Sequence, residues 1–301
     1  MTPITDALPD APCYLDGAYA PLREAKVSVL DRGFIFGDGV YEVVPAYGGQ
    51  PFCFDEHMAR LGRSLAELRI GNPHTPAEWR AIAMRLIDAA PAAQRAGMQG
   101  IYIQVTRGVA PRDHAMPQGL VPTVFVMVNP MKPVSEATRA AGVACVSAPD
   151  FRWQKAHIKT TSLLGAVLAR QISVEAGAAE TIMFRDDWLS EASSSNVWVV
   201  RDGAVSGPPK DELVLAGIRY GLIERLCAEA GIAFSLRRIA RDEVFGADEL
   251  LLSSASKELL PVATLDGQAI GSGRPGPIYQ ALYAGYQRAK ARSTQQQGVP
   301  A

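Results

Sequence analysis

The chain has 301 residues, 48% hydrophobic and 20% charged, a composition that supports a sizeable core and two domains rather than a disordered or fibrous chain. Its 30 basic and 31 acidic residues leave a formal net charge of −1, with no basic footprint for nucleic acid and no polybasic membrane patch. No apolar stretch is long enough to span a membrane, and the start Met1-Thr2-Pro3-Ile4-Thr5-Asp6 lacks the basic region and apolar run of a signal peptide. Cys13, Cys53, Cys145 and Cys227 form no CxxC pair, so reduced packing residues in a cytoplasmic protein are expected, with no metal centre.

The first dozen residues are rich in Pro and Asp and are expected to be loose. Cys13 to Tyr19 reads as a strand entering a hairpin turn at Asp16-Gly17. Val27 to Leu30 reads as a short apolar strand, and Phe34 to Gly39 as a glycine-punctuated bend. Val40 to Tyr47 resumes a strand before the Gly48-Gly49 turn. Met58, Leu61, Leu65 and Leu68 have helical spacing over His57 to Leu68, and Thr75-Pro76 opens a second helix over Ala77 to Ala89. Ile101 to Val105 and Thr123 to Val128 read as strands.

Two prolines in Asn129 to Ser135 suggest a linker, with the domain boundary placed there. Beyond it, Val143 to Ser147 reads as a strand and Ser162 to Ala176 as a helix ended by Gly177. Thr181 to Phe184 and Val197 to Val200 read as strands, the second turning at Asp202-Gly203. Ile218 to Ala230 is a helix closed by Gly231, Glu249 to Leu252 a strand running into a Ser-rich loop, and Gly276 to Arg292 a last helix before a disordered tail from Ser293.

Several stretches carry residues suited to chemistry. Lys159, in His157-Ile158-Lys159-Thr160-Thr161-Ser162, precedes an apolar helix and faces inward at a strand or loop end; a lysine amine can form a Schiff base with an aldehyde. A lysine whose stem covers a helix N-terminus has the same appearance. Glu191 leads into Ser193-Ser194-Ser195-Asn196 and a buried strand; such a carboxylate can hold a pyridine nitrogen protonated, or be an exposed turn acid in a Ser-rich loop.

Leu215-Ala216-Gly217-Ile218-Arg219 opens a helix at a glycine, where free N–H groups and the helix dipole make an anion seat. Ser253-Ser254-Ala255-Ser256, just past a strand end, and Arg60 are further anion candidates; Gly217 can equally serve only to permit a turn, and Arg60 can be a surface helix charge. Arg112 and His114 flank Asp113, so in extended chain both side chains project to one side and form a carboxylate clamp, or part of a polar surface loop. No GxGxxG or Walker pattern occurs.

Together with Asp31-Arg32-Gly33-Phe34-Ile35-Phe36-Gly37-Asp38-Gly39-Val40-Tyr41-Glu42, these stretches resemble the branched-chain/D-amino-acid family of class IV aminotransferases, the fold type IV pyridoxal 5′-phosphate (PLP) enzymes, from about Tyr14 to about Tyr286. The resemblance implies an α/β (α+β) chain with a smaller N-terminal domain at 13–129, a linker at 130–138 and a larger C-terminal domain at 139–292. It also implies a β-barrel-like core in the larger domain, an active site between the domains, and a homodimer.

The resemblance further implies that Lys159 carries the cofactor and moves the α-proton. Glu191 would pair with the pyridine nitrogen and Leu215 would lie against the ring. Arg60, Gly217, Ile218, Arg219, Ser194, Ser195, Asn196, Ser254, Ala255 and Ser256 would line the cofactor and its phosphate. Arg219 and Ala255 depart from the threonines common in D-amino acid enzymes, which leaves more of the phosphate to backbone N–H groups, Ser256 and the arginines. Tyr41 with Arg112 and His114 resembles the carboxylate trap of D-alanine transaminase-like members.

The activity so implied moves an amino group from D-alanine or D-glutamate to pyruvate or 2-oxoglutarate. Branched-chain L-amino acid and (R)-amine transaminases, aminodeoxychorismate lyase and a non-catalytic PLP-binding protein are the alternatives.

Overall fold

The structure, a computed structural model, describes residues 11–295. It divides into two compact units: one runs to Lys132 and takes in Ile158–Ser162, and the other holds Pro133–His157 and the residues from Leu163 on.

The first unit opens on strands β1 (Pro12–Leu15) and β2 (Ala18–Pro21). Asp16 and Gly17 both take positive φ (47° and 90°), which is what a two-residue hairpin turn needs. Helix α1 (Arg32–Phe36), strand β3 (Gly39–Tyr47) and strand β4 (Gln50–Pro51) follow. Next come helices α2 (Phe54–Glu67), α3 (Pro76–Ala89) and α4 (Ala92–Ala96), then strands β5 (Met98–Thr106) and β6 (Thr123–Pro130). The strands form one antiparallel sheet in the order β2-β1-β6-β5-β3-β4.

The alternation of β3 (Val40, Val44), β5 (Ile101, Ile103, Val105) and β6 (Val124, Val126) turns one face to the core. The α2 stripe Phe54, Met58, Leu61 and Leu65, with Trp79, Ile82 and Leu86 of α3, covers that face. Thr75 and Glu78 start α3 as a reciprocal cap.

The second unit begins with α5 (Glu136–Ala141), β7 (Val143–Pro149), α6 (Leu164–Glu175) and β8 (Glu180–Arg185). Strands β9 (Trp188–Ala192), β10 (Asn196–Arg201) and β11 (Ala204–Gly207) lead to α7 (Arg219–Ala230) and β12 (Phe234–Leu236). Helix α8 (Arg241–Phe245), strands β13 (Glu249–Ser254), β14 (Glu258–Leu265) and β15 (Gln268–Ala269), and helix α9 (Pro277–Gln295) complete it.

The sheet is mixed, in the order β12-β11-β10-β13-β14-β7-β8-β9 with β15 beside β14, and it curls as a half barrel. Val197, Val199, Leu250, Leu252, Leu260 and Val262 fill one face. Trp198 faces the other way, its ring edge-on to Tyr220 of α7 at 4.6 Å and its Nε1 donating to Ser253 Oγ at 2.9 Å. A strand buried on both faces reads as a continuous apolar run, as Val197-Trp198-Val199-Val200 does.

Four expectations change. Val27 to Leu30 forms no strand: Val27, Val29 and Leu30 are 52%, 72% and 46% exposed, and apolar character alone gives them no ladder partner. Phe34 to Phe36 belong to α1, and the chain turns only at Gly37 (φ 66°). Strands β4, β9, β12, β14 and β15 and helices α4, α5 and α8 match no expected element, and β9 and β14 lack a clean alternating pattern. The last helix continues through Ser293, Thr294 and Gln295 instead of ending at Arg292, while residues 296–301 of the expected tail, and 1–10 of the expected loose start, lie outside the described residues. None of Cys13, Cys53, Cys145 and Cys227 is in a disulfide. Among the described residues no helix is long and apolar enough to cross a membrane, and no His, Cys, Asp and Glu grouping could hold a metal ion.

Candidate active site

In the first unit, residues 158–162 run beside the start of β3. Tyr41 N–H donates to Lys159 O at 2.9 Å, Thr161 N–H to Gly39 O at 2.9 Å, and Val40 and Thr160 form an antiparallel bridge. Lys159 N–H reaches Ser64 Oγ of α2 at 3.2 Å. The backbone on both sides of Lys159 is therefore fixed. Its Nζ lies 4.2 Å from the centroid of the Tyr41 ring, and among the described residues no carboxylate pairs with it. An amine in that state is available for covalent chemistry.

On the same strand, Glu42 is fully buried. Arg60 donates to it twice (Nε to Oε1, 2.7 Å; Nη2 to Oε2, 2.8 Å), and His57 Nδ1 lies 2.8 Å from Oε2. Burial pushes the Glu42 carboxyl up, but Arg60 and then His57 outweigh it and hold the group well below the usual carboxylate range. Arg60 is thus set rigidly by Glu42. Glu42 and His57 escaped the sequence reading, although Glu42 is in phase with the core positions Val40 and Val44, and His57 and Arg60 share a helix face at i, i+3.

Arg112 and His114 sit in an exposed, irregular segment between β5 and β6, not in extended chain. They meet at one ring all the same: Phe36 lies 5.5 Å from the Arg112 guanidinium and 5.4 Å from the His114 ring.

In the second unit, Glu191 is on β9 and 5% exposed, not on an exposed turn. Arg152 Nη1 donates to its Oε1 at 2.7 Å, Leu215 N–H to Oε1 at 3.2 Å, and Asn196 Nδ2 to Oε2 at 3.1 Å. Burial pushes the Glu191 carboxyl up, and Arg152 and the Leu215 N–H pull against it without overcoming it. A further cation would relieve this penalty. Arg152 is itself gripped by Asp150, a partnership for which the sequence pattern gave no signal.

Asn196 also donates to Leu215 O at 2.9 Å, and a Cβ on Gly217 would fall 2.0 Å from Asn196 Oδ1. Leu215, Asn196, Gly217 and Glu191 are therefore one packed group. Ile218 caps α7 without a side-chain hydrogen bond, which leaves that helix start suited to an anion, and Arg219, buried in the first turn, lies near the Tyr286 ring at 5.7 Å.

Ser194 and Ser195 serve a different partner. With Ser193 they donate to buried Glu180, and Lys257 Nζ reaches Glu180 at 2.8 Å and Ser194 and Ser195 at 3.0 Å each. Burial opposes ionisation of Glu180, but Lys257 and the serines hold its carboxyl low. Ser254 Oγ accepts from Lys257 N at 3.1 Å and lies 3.4 Å from Ser256 Oγ; Ala255 separates the two hydroxyls.

Residues 39–265 match the amino-transferase class IV family. The chain belongs to the class IV aminotransferases, which are PLP-dependent enzymes. It is 40% identical over 264 residues to the D-alanine aminotransferase of Bacillus licheniformis, covering 87% of this chain and 91% of that one. It is 34% identical over 275 residues to that of Staphylococcus haemolyticus, covering 91% and 96%. Its fold is similar to that of the branched-chain aminotransferase from the archaeon Thermoproteus uzoniensis solved with norvaline, with TM-score 0.84, 24% identity and 95% and 96% coverage. The Escherichia coli branched-chain amino acid aminotransferase gives TM-score 0.84, 22% identity and 96% and 98% coverage.

The residues present fit the cofactor. Lys159 offers an amine outside any ion pair among the described residues, Glu191 a buried carboxylate short of positive charge, and α7 an uncapped N-terminus beside a glycine whose missing side chain leaves room for Asn196.

Proposed function

We propose that this aminotransferase takes its amino group from a D-amino acid of the D-alanine or D-glutamate type and passes it to pyruvate or 2-oxoglutarate. The observation that carries the reading is the convergence of Arg112 and His114 on Phe36, which presents a guanidinium and an imidazole together for a carboxylate. The D-alanine aminotransferases at 34–40% identity support it. The branched-chain enzymes, below 25% identity, support the fold alone.

Bound PLP supplies an electron sink that lets an amino acid lose its α-proton. Lys159 Nζ would carry the cofactor covalently and would accept and return the substrate proton as general base. Glu191, which accepts from Arg152, would pair with the ring nitrogen of the cofactor. The N–H groups at Gly217 and Ile218, with Arg60, Arg219, Ser254 and Ser256, would take its phosphate. Leu215 would bear on the cofactor ring, and Arg112, His114 and Tyr41 would hold the substrate carboxylate.

The working form is a homodimer. Leu164, Val167, Leu168 and Val174 on α6 leave an apolar face 52–70% exposed, more than a solvated helix needs. Half-reactions with D-alanine, L-leucine and (R)-1-phenylethylamine test the donor assignment. D-alanine alone should convert the cofactor, and conversion by L-leucine alone would move the chain to the branched-chain group.

A further inference from the structure

The segment Asp31 to Glu42 contains Arg32 and Asp38, charged residues that no step above uses. We propose that Arg32, locked by Asp38 and stacked on Phe36, is the positioning residue for Arg112 and His114 and thereby sets the affinity for the substrate carboxylate. The inference rests on the assignment of Arg112 and His114 to that carboxylate.

Arg32 is 3% exposed although it is an arginine beside an exposed loop. Its Nε donates to Asp38 Oδ2 at 2.8 Å, and its Nη1 donates to the carbonyl oxygen of Asp113 at 2.6 Å. Asp113 is the residue between the two clamp side chains. The guanidinium also lies 4.8 Å from the Phe36 ring centroid, the ring that Arg112 and His114 approach. One side chain therefore fixes the peptide between the clamp residues and backs the ring against which both are set.

Asp38 does not need Arg32 as a counterion. Arg107 already binds it through Nε to Oδ2 at 2.7 Å and Nη2 to Oδ1 at 3.0 Å, and Arg107 Nη2 also donates to Leu68 O at 2.7 Å. Burial opposes ionisation of Asp38, but Arg107 and then Arg32 hold the carboxyl below its ordinary value. The second arginine has a separate use, and its Nη1 points to it.

The foot of the same loop is pinned nearby. Arg32 N–H donates to Gly108 O at 2.9 Å and Ala110 N–H to Leu30 O at 3.3 Å. Gly108 has φ +102°, and a Cβ there would fall 2.1 Å from Val121 O, so the two ends of the loop are pinched together. Between them the chain has no regular structure and is mostly exposed. Two exposed side chains on such a loop would otherwise lose much rotamer freedom on binding a ligand, and a fixed carbonyl and a shared ring reduce that loss. A lysine could keep the contact with Asp38 but lacks the planar fork that reaches both acceptors.

Arg32→Lys, Phe36→Leu, Arg112→Ala and the double variant Arg32→Lys/Arg112→Ala are compared as PLP-loaded enzymes. The readouts are KM and kcat for D-alanine and the inhibition constant of acetate, a carboxylate that cannot react. Arg32→Lys and Phe36→Leu should each raise KM and the acetate constant about tenfold, with kcat within about threefold and the cofactor spectrum unchanged. In the Arg112→Ala background, Arg32→Lys should add less than about twofold.

Wild-type KM and acetate constants in both single variants, beside a raised KM in Arg112→Ala, would overturn the positioning role and leave the carboxylate assignment standing. An equal effect of Arg32→Lys with and without Arg112 would also overturn it. A wild-type KM in Arg112→Ala would instead remove the underlying assignment. Phe36→Leu, which leaves the buried charges in place, decides the matter if Arg32→Lys does not fold.

Discussion

Arg152 Nη1 donates to Glu191 Oε1 across 2.7 Å, while Asp150 grips the same guanidinium through Nε and Nη2, both at 2.9 Å. Removing one member of a buried pair leaves the other uncompensated, at a cost of about 3 kcal/mol or more. Arg152→Met should therefore destabilise the protein by about that much and weaken PLP binding, because a protonated Glu191 no longer attracts the ring nitrogen's proton. Arg152→Met/Glu191→Gln should recover much of the stability and none of the cofactor affinity. Urea unfolding and PLP titration check both; wild-type stability in Arg152→Met would mean the pair does not hold Glu191.

Lys159→Ala should still bind PLP, without covalent attachment, and lose at least about 10²-fold in turnover, the lower end of what a general base contributes. Borohydride reduction followed by mass spectrometry should find the cofactor fixed to the wild-type peptide carrying Lys159 and to no peptide of the variant. Appreciable transamination by Lys159→Ala would refute the assignment.

Gly217→Ala should press on Asn196, whose Oδ1 would lie 2.0 Å from the new Cβ, and so disturb both of Asn196's bonds, to Glu191 and to Leu215 O. The expected loss is about 1–3 kcal/mol of stability together with weaker PLP binding. Gly231→Ala is the control. It sits at φ +67° with nothing within 4 Å, so it should cost about 1 kcal/mol and leave PLP affinity alone. Equal PLP affinities in the two variants would detach Gly217 from the cofactor.

Glu42 gives a pH dependence of definite sign. Its folded carboxyl sits below its ordinary value of 4.5, so the unfolded chain binds the extra proton first. Its stabilisation is present above that value and is lost as pH falls. Asp38, Asp150 and Glu180 shift the same way and add to the acid loss. Glu42→Gln should be about 3 kcal/mol less stable than wild type at pH 7, with the gap narrowing toward pH 3. Urea midpoints across that range check it, and a constant gap would contradict it.

Much of the fold was legible because its elements carry local signals. Val40 to Tyr47, the α2 stripe, the Thr75-Pro76 helix start and the Asp-Gly turns each agree with the structure. Strand β9 was hidden because Ser190-Glu191-Ala192 is polar in sequence but buried by tertiary packing, and Val27 to Leu30 misled because an apolar run without a partner strand is only an exposed loop. At the site, residue types pointed to Lys159, Glu191, Arg112 and His114. Their partners Arg152, Asp150, Glu42 and Arg32 were not singled out, since a buried charge and its counterion are joined by chain folding across gaps such as the thirty-nine residues from Arg152 to Glu191. The serines at 194 and 195 were read for their hydroxyls, and the structure commits those hydroxyls to Glu180 and Lys257.

The most direct measurement is a visible spectrum of the purified protein with PLP, recorded before and after D-alanine and, separately, before and after L-leucine. The account predicts a yellow protein whose long-wavelength band is bleached by D-alanine and untouched by L-leucine. Bleaching by L-leucine alone would leave Arg112 and His114 without their role, and a protein that stays colourless with added PLP would contradict the assignment of Lys159 and Glu191.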